Sequence, residues 1–185
     1  MLVCPAGAVE EERRTIGFVK ESSYEYLDVL TGELLPNERE AGPVLTSVRR
    51  RVEELVEKER YDVIIVDTSP GIHCAVVRAL EMTKNALVVA EPTPLGAYDL
   101  EIILELSSAL GVSSSVVINK ATVGDASLIR DVCKRRNVKV VAEIPFDASL
   151  FEYYVRSIPV VVGSPSSPSA KAMKKLYGAV KEMMK

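Results

Sequence analysis

A large excess of either charge is missing from this chain: 23 Lys and Arg stand against 26 Asp and Glu, for a formal net charge of −3. Such a balance builds no basic field to draw in nucleic acid or anionic lipid, so neither nucleic acid nor a membrane is expected as a partner. Cysteine is scarce, with Cys4, Cys74 and Cys133 scattered along the sequence. That odd set makes neither a disulfide framework nor a Cys-x-x-Cys metal knuckle. Histidine occurs once, at His73. Apolar runs such as Ala86 to Ala90 fall far short of the ~20 residues of a spanning helix, and no charged-then-apolar leader opens the chain. A cytoplasmic protein is expected. What is present is ordinary for a folded domain: 185 residues, 48% hydrophobic and 26% charged. These values argue against disorder, collagen and coiled coil. A chain of this length buries roughly 70% of its unfolded surface, enough for a real core.

From Tyr61 onward, short β-branched runs alternate with helix-length amphipathic stretches, the pattern of parallel strands joined by crossover helices. The strands read Tyr61 to Asp67, Ala86 to Glu91, Ser115 to Asn119 and Lys139 to Ile144. Each is almost wholly apolar, as a sheet covered on both faces requires. The helices read Ile72 to Met82, Leu95 to Leu110 and Ala126 to Arg136, with Gly111 placed for a left-handed cap. Asp147 is an N-cap for a further helix, and Ser167-Pro168 opens the last one. Fold class is α/β, a mostly parallel sheet with helices on both faces, preceded by a small β element. In that element Thr15 to Lys20 and Tyr24 to Leu30 read as strands, Thr31-Gly32 as a turn, and Val44 to Glu59 as a helix.

The most informative stretch is Val63-Ile64-Ile65-Val66-Asp67 followed by Thr68-Ser69-Pro70-Gly71. An apolar strand ending in aspartate sets a carboxylate at the carboxyl edge of a parallel sheet, where α/β folds bind ligands. Pro70-Gly71 then makes a turn whose glycine N–H can face a phosphate and move when it leaves. The plainer alternative is an Asp that caps the next helix. His73 and Cys74 follow; adjacent helical side chains diverge by about 100°, so they read as a surface imidazole and a buried small thiol rather than a catalytic pair.

Asp67-Thr-Ser-Pro-Gly, Glu91-Pro-Thr-Pro-Leu-Gly-Ala-Tyr-Asp-Leu100, Val117-Ile-Asn-Lys120 with Gly124-Asp125, and Glu143-Ile-Pro-Phe-Asp147 together resemble the successive signatures of the MinD/ParA family of deviant-Walker ATPases. The resemblance is to the branch with an inserted ferredoxin domain, and it covers about Tyr61 to Lys185. It implies P-loop NTPase-like architecture, with ATP and Mg²⁺ as ligands. By resemblance, Asp67 holds Mg²⁺ through water and helps orient the attacking water, and Pro70 and Gly71 form the switch beside the γ-phosphate. Asp99 faces the signature lysine, Asn119 hydrogen-bonds the adenine, and Pro145 and Asp147 wall the base. Taken singly, Asn119 also reads as a strand-end turn residue, Asp99 as a solvated helical charge and Asp147 as an N-cap.

One family element is missing. The family binds the β- and γ-phosphates with a glycine-rich strand-to-helix turn ending in Gly-Lys-Thr or Gly-Lys-Ser. Neither tripeptide occurs in these 185 residues, and the ten glycines are scattered. The expectation is a partial nucleotide-binding protein that does not hydrolyse ATP alone and binds it weakly or not at all. Val3-Cys4-Pro5 resembles the end of a ferredoxin motif, in which four cysteines hold a cluster. With Cys4 alone, an iron–sulfur cluster is not expected in this chain. The resemblance therefore divides it into 1–12, a ferredoxin remnant; 13–60, a β element and connecting helix; and 61–185, an incomplete MinD-like domain.

The function this implies is ATP-dependent switching tied to iron–sulfur or other protein clients. The expected partner is a protein or a second copy, including a chain that supplies the phosphate loop. Alternatives are a non-catalytic protein-binding module and an unrelated α/β enzyme using Asp67 with His73. The last helix carries Met173, Leu176, Tyr177, Val180, Met183 and Met184 on one side and reads as packing on the sheet rather than on a membrane. Loss of the first strand also raises a question of pairing. Closure of the Tyr61 to Asp67 strand onto the Ala86 strand is favoured over filling by a strand of another chain.

Overall fold

The computed structural model describes residues 12–58 and 61–184, with Pro5 and Ala8. The chain divides into two compact units, one ending at Ile65 and the other beginning at Val66.

In the first unit, β1 (Gly17–Tyr24) and β2 (Leu27–Leu34) form an antiparallel hairpin, registered from Gly17 opposite Leu34 to Tyr24 opposite Leu27. The reversal falls at Glu25-Tyr26, where Glu25 takes the left-handed conformation (φ +49°). Thr31-Gly32, expected as the turn, lies inside β2 instead. Its glycine serves a close approach: a Cβ on Gly32 would come within 3.0 Å of both Val44 and Val48, on the helix α1 (Gly42–Lys58). A residue that signals a turn by flexibility is used here for its lack of bulk.

The second unit is built on a three-stranded parallel sheet, β3 (Asn85–Ala90), β4 (Ser113–Ile118) and β5 (Lys139–Glu143), in that spatial order. The helix α2 (Cys74–Leu80) precedes it. Crossovers are α3 (Pro94–Ala109) and α4 (Ser127–Arg136), and after β5 come α5 (Ala148–Tyr154), α6 (Val160–Gly163) and α7 (Pro168–Met183). Caps mark several of the boundaries. Thr93 Oγ1 accepts from Gly96 N–H at 2.9 Å with Pro94 at the first turn, and Ser167 does the same for α7 ahead of Pro168. Gly111 (φ +71°) and Asn137 (φ +53°) take the left-handed conformation just past α3 and α4, satisfying end carbonyls.

Strand alternation sorts the core into two layers. Val116 and Ile118, both fully buried, pack with Leu100, Leu104, Ile129 and Val132 of α3 and α4. Val117 points the other way, to Ile144 and to Ala172, Met173 and Leu176 of α7. The last helix thus docks on the sheet through part of its expected apolar stripe, while Tyr177 and Met184 are exposed. The α2 helix packs through Val76 and Leu80 with Val112, Ala86 and the flank of α3.

One expected strand is not formed. Residues 61–67 belong to no ladder, and Val63, Ile64 and Ile65 are exposed, Ile65 at 85%. Closure onto the Ala86 strand does not occur either: among the described residues β3 pairs with β4 alone. A run of β-branched residues records a need for burial and extension, but a ladder also needs a neighbour with free N–H and C=O groups at about 4.8 Å. On β3 the same lack is visible as exposure of Leu87 and Val89, on the face that α7 covers farther along the sheet.

Candidate functional site

Because β3, β4 and β5 are parallel, the segments that leave their carboxyl ends gather on one rim. Pairing continues past the strands: Asn119 N–H donates to Ala90 O at 2.8 Å, Ile144 N–H to Ile118 O at 2.8 Å, and Ala121 N–H to Ile144 O at 2.9 Å. Phe146 N–H then donates to Thr122 Oγ1 at 3.0 Å, fastening the loop after β5 to the loop after β4. Asn119, Pro145 and Asp147 are thereby brought onto two adjoining, mutually bonded loops. Between Pro145 and Asp147, Phe146 is 60% exposed, as is most of Val123 on the facing loop.

The third loop of the rim, at Glu91-Pro92, is wedged between glycines. A Cβ on Gly96 would lie 2.3 Å from Glu91 O, and one on Gly124 would lie 2.1 Å from Pro92 O. No side chain fits either place. Lys120, held at φ +51°, turns its ammonium to Glu91 Oε1 at 2.7 Å. Asp125 accepts from the N–H and Oγ of Ser127 at 2.9 and 2.6 Å, bonds that lower its pKa. Asp99 stands exposed on α3, in the second turn after the cap at Thr93.

Asp147 carries the densest bonding. Its Oδ1 accepts from Ser149 N–H at 3.0 Å and Ser149 Oγ–H at 2.6 Å; its Oδ2 accepts from Ser169 N–H at 3.1 Å and Ser169 Oγ–H at 2.7 Å. These donors, led by the Ser149 and Ser169 hydroxyls, hold the carboxyl well below the ordinary carboxylate range. The N-cap role expected of Asp147 is present, and a second anchor at α7 was not legible from the sequence.

The segment expected as the switch is of another kind. Asp67, Pro70 and Gly71 lie exposed in irregular backbone between the 61–67 run and α2, with Gly71 at φ +94°. Ser69 Oγ and His73 Nε2 are 3.0 Å apart across the Pro70-Gly71 turn, a partner for His73 that the sequence reading missed because the spacing of four lies across a turn and not on a helix. His73 is exposed as expected, but Cys74 is exposed too, where a buried thiol was expected. It is the first residue of α2 and so precedes the turns whose inner side, Val76 and Leu80, reaches the core. The buried thiol is Cys133, and burial pushes its pKa up. Cys4 lies outside the described residues.

The fit to a Mg²⁺-nucleotide is therefore divided. The base side offers preformed loops, a side-chain amide at Asn119 and an exposed aromatic ring. Among the described residues no group of three or more His, Cys, Asp or Glu side chains could hold a metal ion, so Asp67 does not make a metal site by itself. For the phosphates, these 185 residues contain no Gly-Lys-Thr or Gly-Lys-Ser turn. No helix among the described residues is long and apolar enough to cross a membrane.

No family model matches the chain. It is similar to two proteins of Methanocaldococcus jannaschii. Uncharacterized protein MJ0579 is 27% identical over 145 residues, 78% of this chain and 49% of that one. Uncharacterized protein MJ0578 is 22% identical over 175 residues, 95% of this chain and 58% of that one. The chain thus spans about half the length of the curated relatives it matches. Among solved structures, the cell division ATPase MinD of Pyrococcus furiosus superposes with a TM-score of 0.63 at 25% identity, over 75% of this chain and 57% of that one. MinD of Pyrococcus horikoshii, solved with Mg-ADP, gives 0.63 at 24% identity, over 75% and 56%. A ParA family ATPase of Chlorobium tepidum gives 0.55 at 20% identity, over 72% and 54%. The fold is accordingly α/β, similar to the MinD P-loop NTPases. Its structural neighbours are MinD and ParA ATPases, and the chain has an ATPase-like fold.

Proposed function

We propose that these 185 residues carry the base-side and switch portions of a MinD-like nucleotide switch whose phosphate-binding turn is supplied by residues outside them, on a longer polypeptide or a partner chain. One observation carries the reading: the adjoining loops after β4 and β5, bonded through Thr122 and Phe146, present Asn119, Pro145 and Asp147 on one rim. In this reading Asn119 recognises the adenine edge and Pro145 borders the ring. Asp147 shapes the wall from behind, since all its bonding capacity toward α5 and α7 is in use. Asp67 carries an outer-sphere role toward Mg²⁺, which keeps several waters and leans on substrate phosphates for its remaining ligands. Pro70 and Gly71 respond to the γ-phosphate, and Asp99 orients the lysine of the absent turn. Bound ATP supplies the phosphoanhydride whose cleavage would drive switching. Without the N–H groups and lysine that neutralise phosphate charge, the chain alone does not catalyse that cleavage. An iron–sulfur client is the finer expectation, with no cluster held by this chain itself.

Calorimetric titration of the purified chain with Mg-ATP tests the reading. Binding in the millimolar range, of similar strength for AMP and ATP, is expected, because the base side contributes and the phosphate side does not. A micromolar or tighter dissociation constant for ATP would show that the account of the phosphate side is wrong. A second reading, a protein-binding module without nucleotide, is favoured by Phe151, Tyr154, Val155 and Ile158. Phe151 and Tyr154 belong to α5, Val155 and Ile158 to the segment that follows it, and all four are exposed; exposed apolar side chains grouped in this way mark a docking surface.

A further inference from the structure

We propose that Ser169 is a positioning residue for the candidate base-side loop: through Asp147 it ties the amino end of α7 to residues 144–147, so that docking of the last helix and the shape of the base wall are one linked equilibrium. The proposal rests on the base-side reading only for what the loop binds; the linkage is a property of the fold. Ser169 is 0% exposed and gives both its N–H and its hydroxyl to Asp147 Oδ2. Twenty-two residues separate the pair, so the bond joins two elements and does not merely finish a local turn. Beside it Ser167 caps α7 and sits 3.3 Å from the Ser169 hydroxyl. The same helix brings Ala172, Met173 and Leu176 into the apolar cluster that holds Val117 and Ile144, the residue that opens the loop.

From there the connection is continuous. Ile144 bonds Ile118 and Ala121 through its N–H and C=O, and Phe146 N–H bonds Thr122. Coupling needs an element with two arrangements that both ends bias, and here that element is the loop 144–147: anchored by α7 it holds Phe146 against Thr122, and unanchored it loses the carboxylate that fixes its last residue. Asp147 serves α5 with one oxygen and α7 with the other, so the two functions are separable by mutation.

Amide exchange read by NMR on the full chain tests this. In S169A, the backbone N–H to Oδ2 remains and folding is preserved, while the Phe146 and Ala121 amides should exchange roughly ten-fold faster, the loss expected for a hydrogen bond to a charged group. D147A, which removes the acceptor altogether, should accelerate the same amides at least as much, and the S169A/D147A double variant should exchange no faster than D147A alone. S149A removes only a bond toward α5 and should leave both amides unmoved. Unchanged exchange in S169A, additive effects in the double variant, or an equal response to S149A would each overturn the linkage. A parallel AMP titration should move the Asn119, Thr122 and Phe146 signals in the wild-type chain and move them with weaker affinity in S169A. If AMP leaves all signals in place, the base-side reading fails, and the exchange pattern alone decides the linkage.

Discussion

The two halves of the candidate site differ in how they are held. Residues 119–125 and 144–147 are locked by extended strand pairing, a contact of Gly124 with Pro92 too close for a Cβ, and a carboxylate that accepts four hydrogen bonds. Residues 66–73 belong to no ladder, are largely exposed, and keep one side-chain bond across their turn. The loops proposed for the base are held by bonds within the fold, whereas the segment proposed as the switch has no ladder to hold it. Elements that move on binding are drawn from the low-stability end of a fold, and under the proposed reading residues 66–73 are the segment that meets this condition.

The strongest way to break the contrast is to add one carbon to each side. Gly124→Ala places a methyl against Pro92 O and should cost about 1–3 kcal/mol in thermal or urea unfolding, as overpacking of a rigid site does. Gly96→Ala, against Glu91 O, should cost a similar amount. Gly71→Ala meets no atom closer than 3.7 Å, so only its left-handed backbone opposes the change, at about 1 kcal/mol. If Gly71→Ala is the most damaging of the three, the switch segment is packed in solution and the contrast fails.

A smaller effect follows from Asp147. Its folded-state pKa lies below the unfolded value of 3.8, so its contribution to stability is fully present above the unfolded pKa and is lost as pH falls through the folded one. Stability should therefore hold near neutrality and decline below about pH 4, and Asp147→Ala should flatten that decline while costing about 0.5–2 kcal/mol at pH 7 through loss of the cap. A decline of unchanged steepness in the variant would place the acid-sensitive group elsewhere. The two described thiols give a milder comparison: Cys74 should react readily with a thiol reagent in the native chain, while buried Cys133, its pKa raised, should react only on unfolding.

Much of the base side was legible because its signals are local. Ser167, Asp147 and Gly111 act where their residue types predict, and the strands that became β3, β4 and β5 announced themselves as apolar runs between helical stretches. What escaped was long-range or dependent on a neighbour. Ser169 looks like one of several serines in a Pro/Ser loop, and nothing in its surroundings in sequence shows that it meets Asp147. Residues 61–67 have the composition of a buried strand, yet composition cannot state whether a partner strand is there to pair. Gly32 was misread for a related reason, since a glycine needed for close approach and one needed for a turn are identical in sequence.

The least disruptive test addresses the switch side at its most informative residue. Asp67 is exposed, stands at the end of a run without ladder bonds, and lies outside the buried layers of the core. Asp67→Asn should accordingly change the unfolding free energy of the chain by less than about 0.5 kcal/mol, the usual range for surface positions. The change removes the charge while keeping size and shape, so any effect reports electrostatics alone. In an assembly completed with a phosphate-binding segment, the same variant should lose the Mg²⁺ dependence of nucleotide binding, since the role proposed for Asp67 is to order water around the metal. The two measurements point in opposite directions by design. A variant that melts several degrees lower and retains its Mg²⁺ response would make Asp67 a structural cap for α2, and the switch side would then have no metal-directed residue to distinguish it from an ordinary connecting loop.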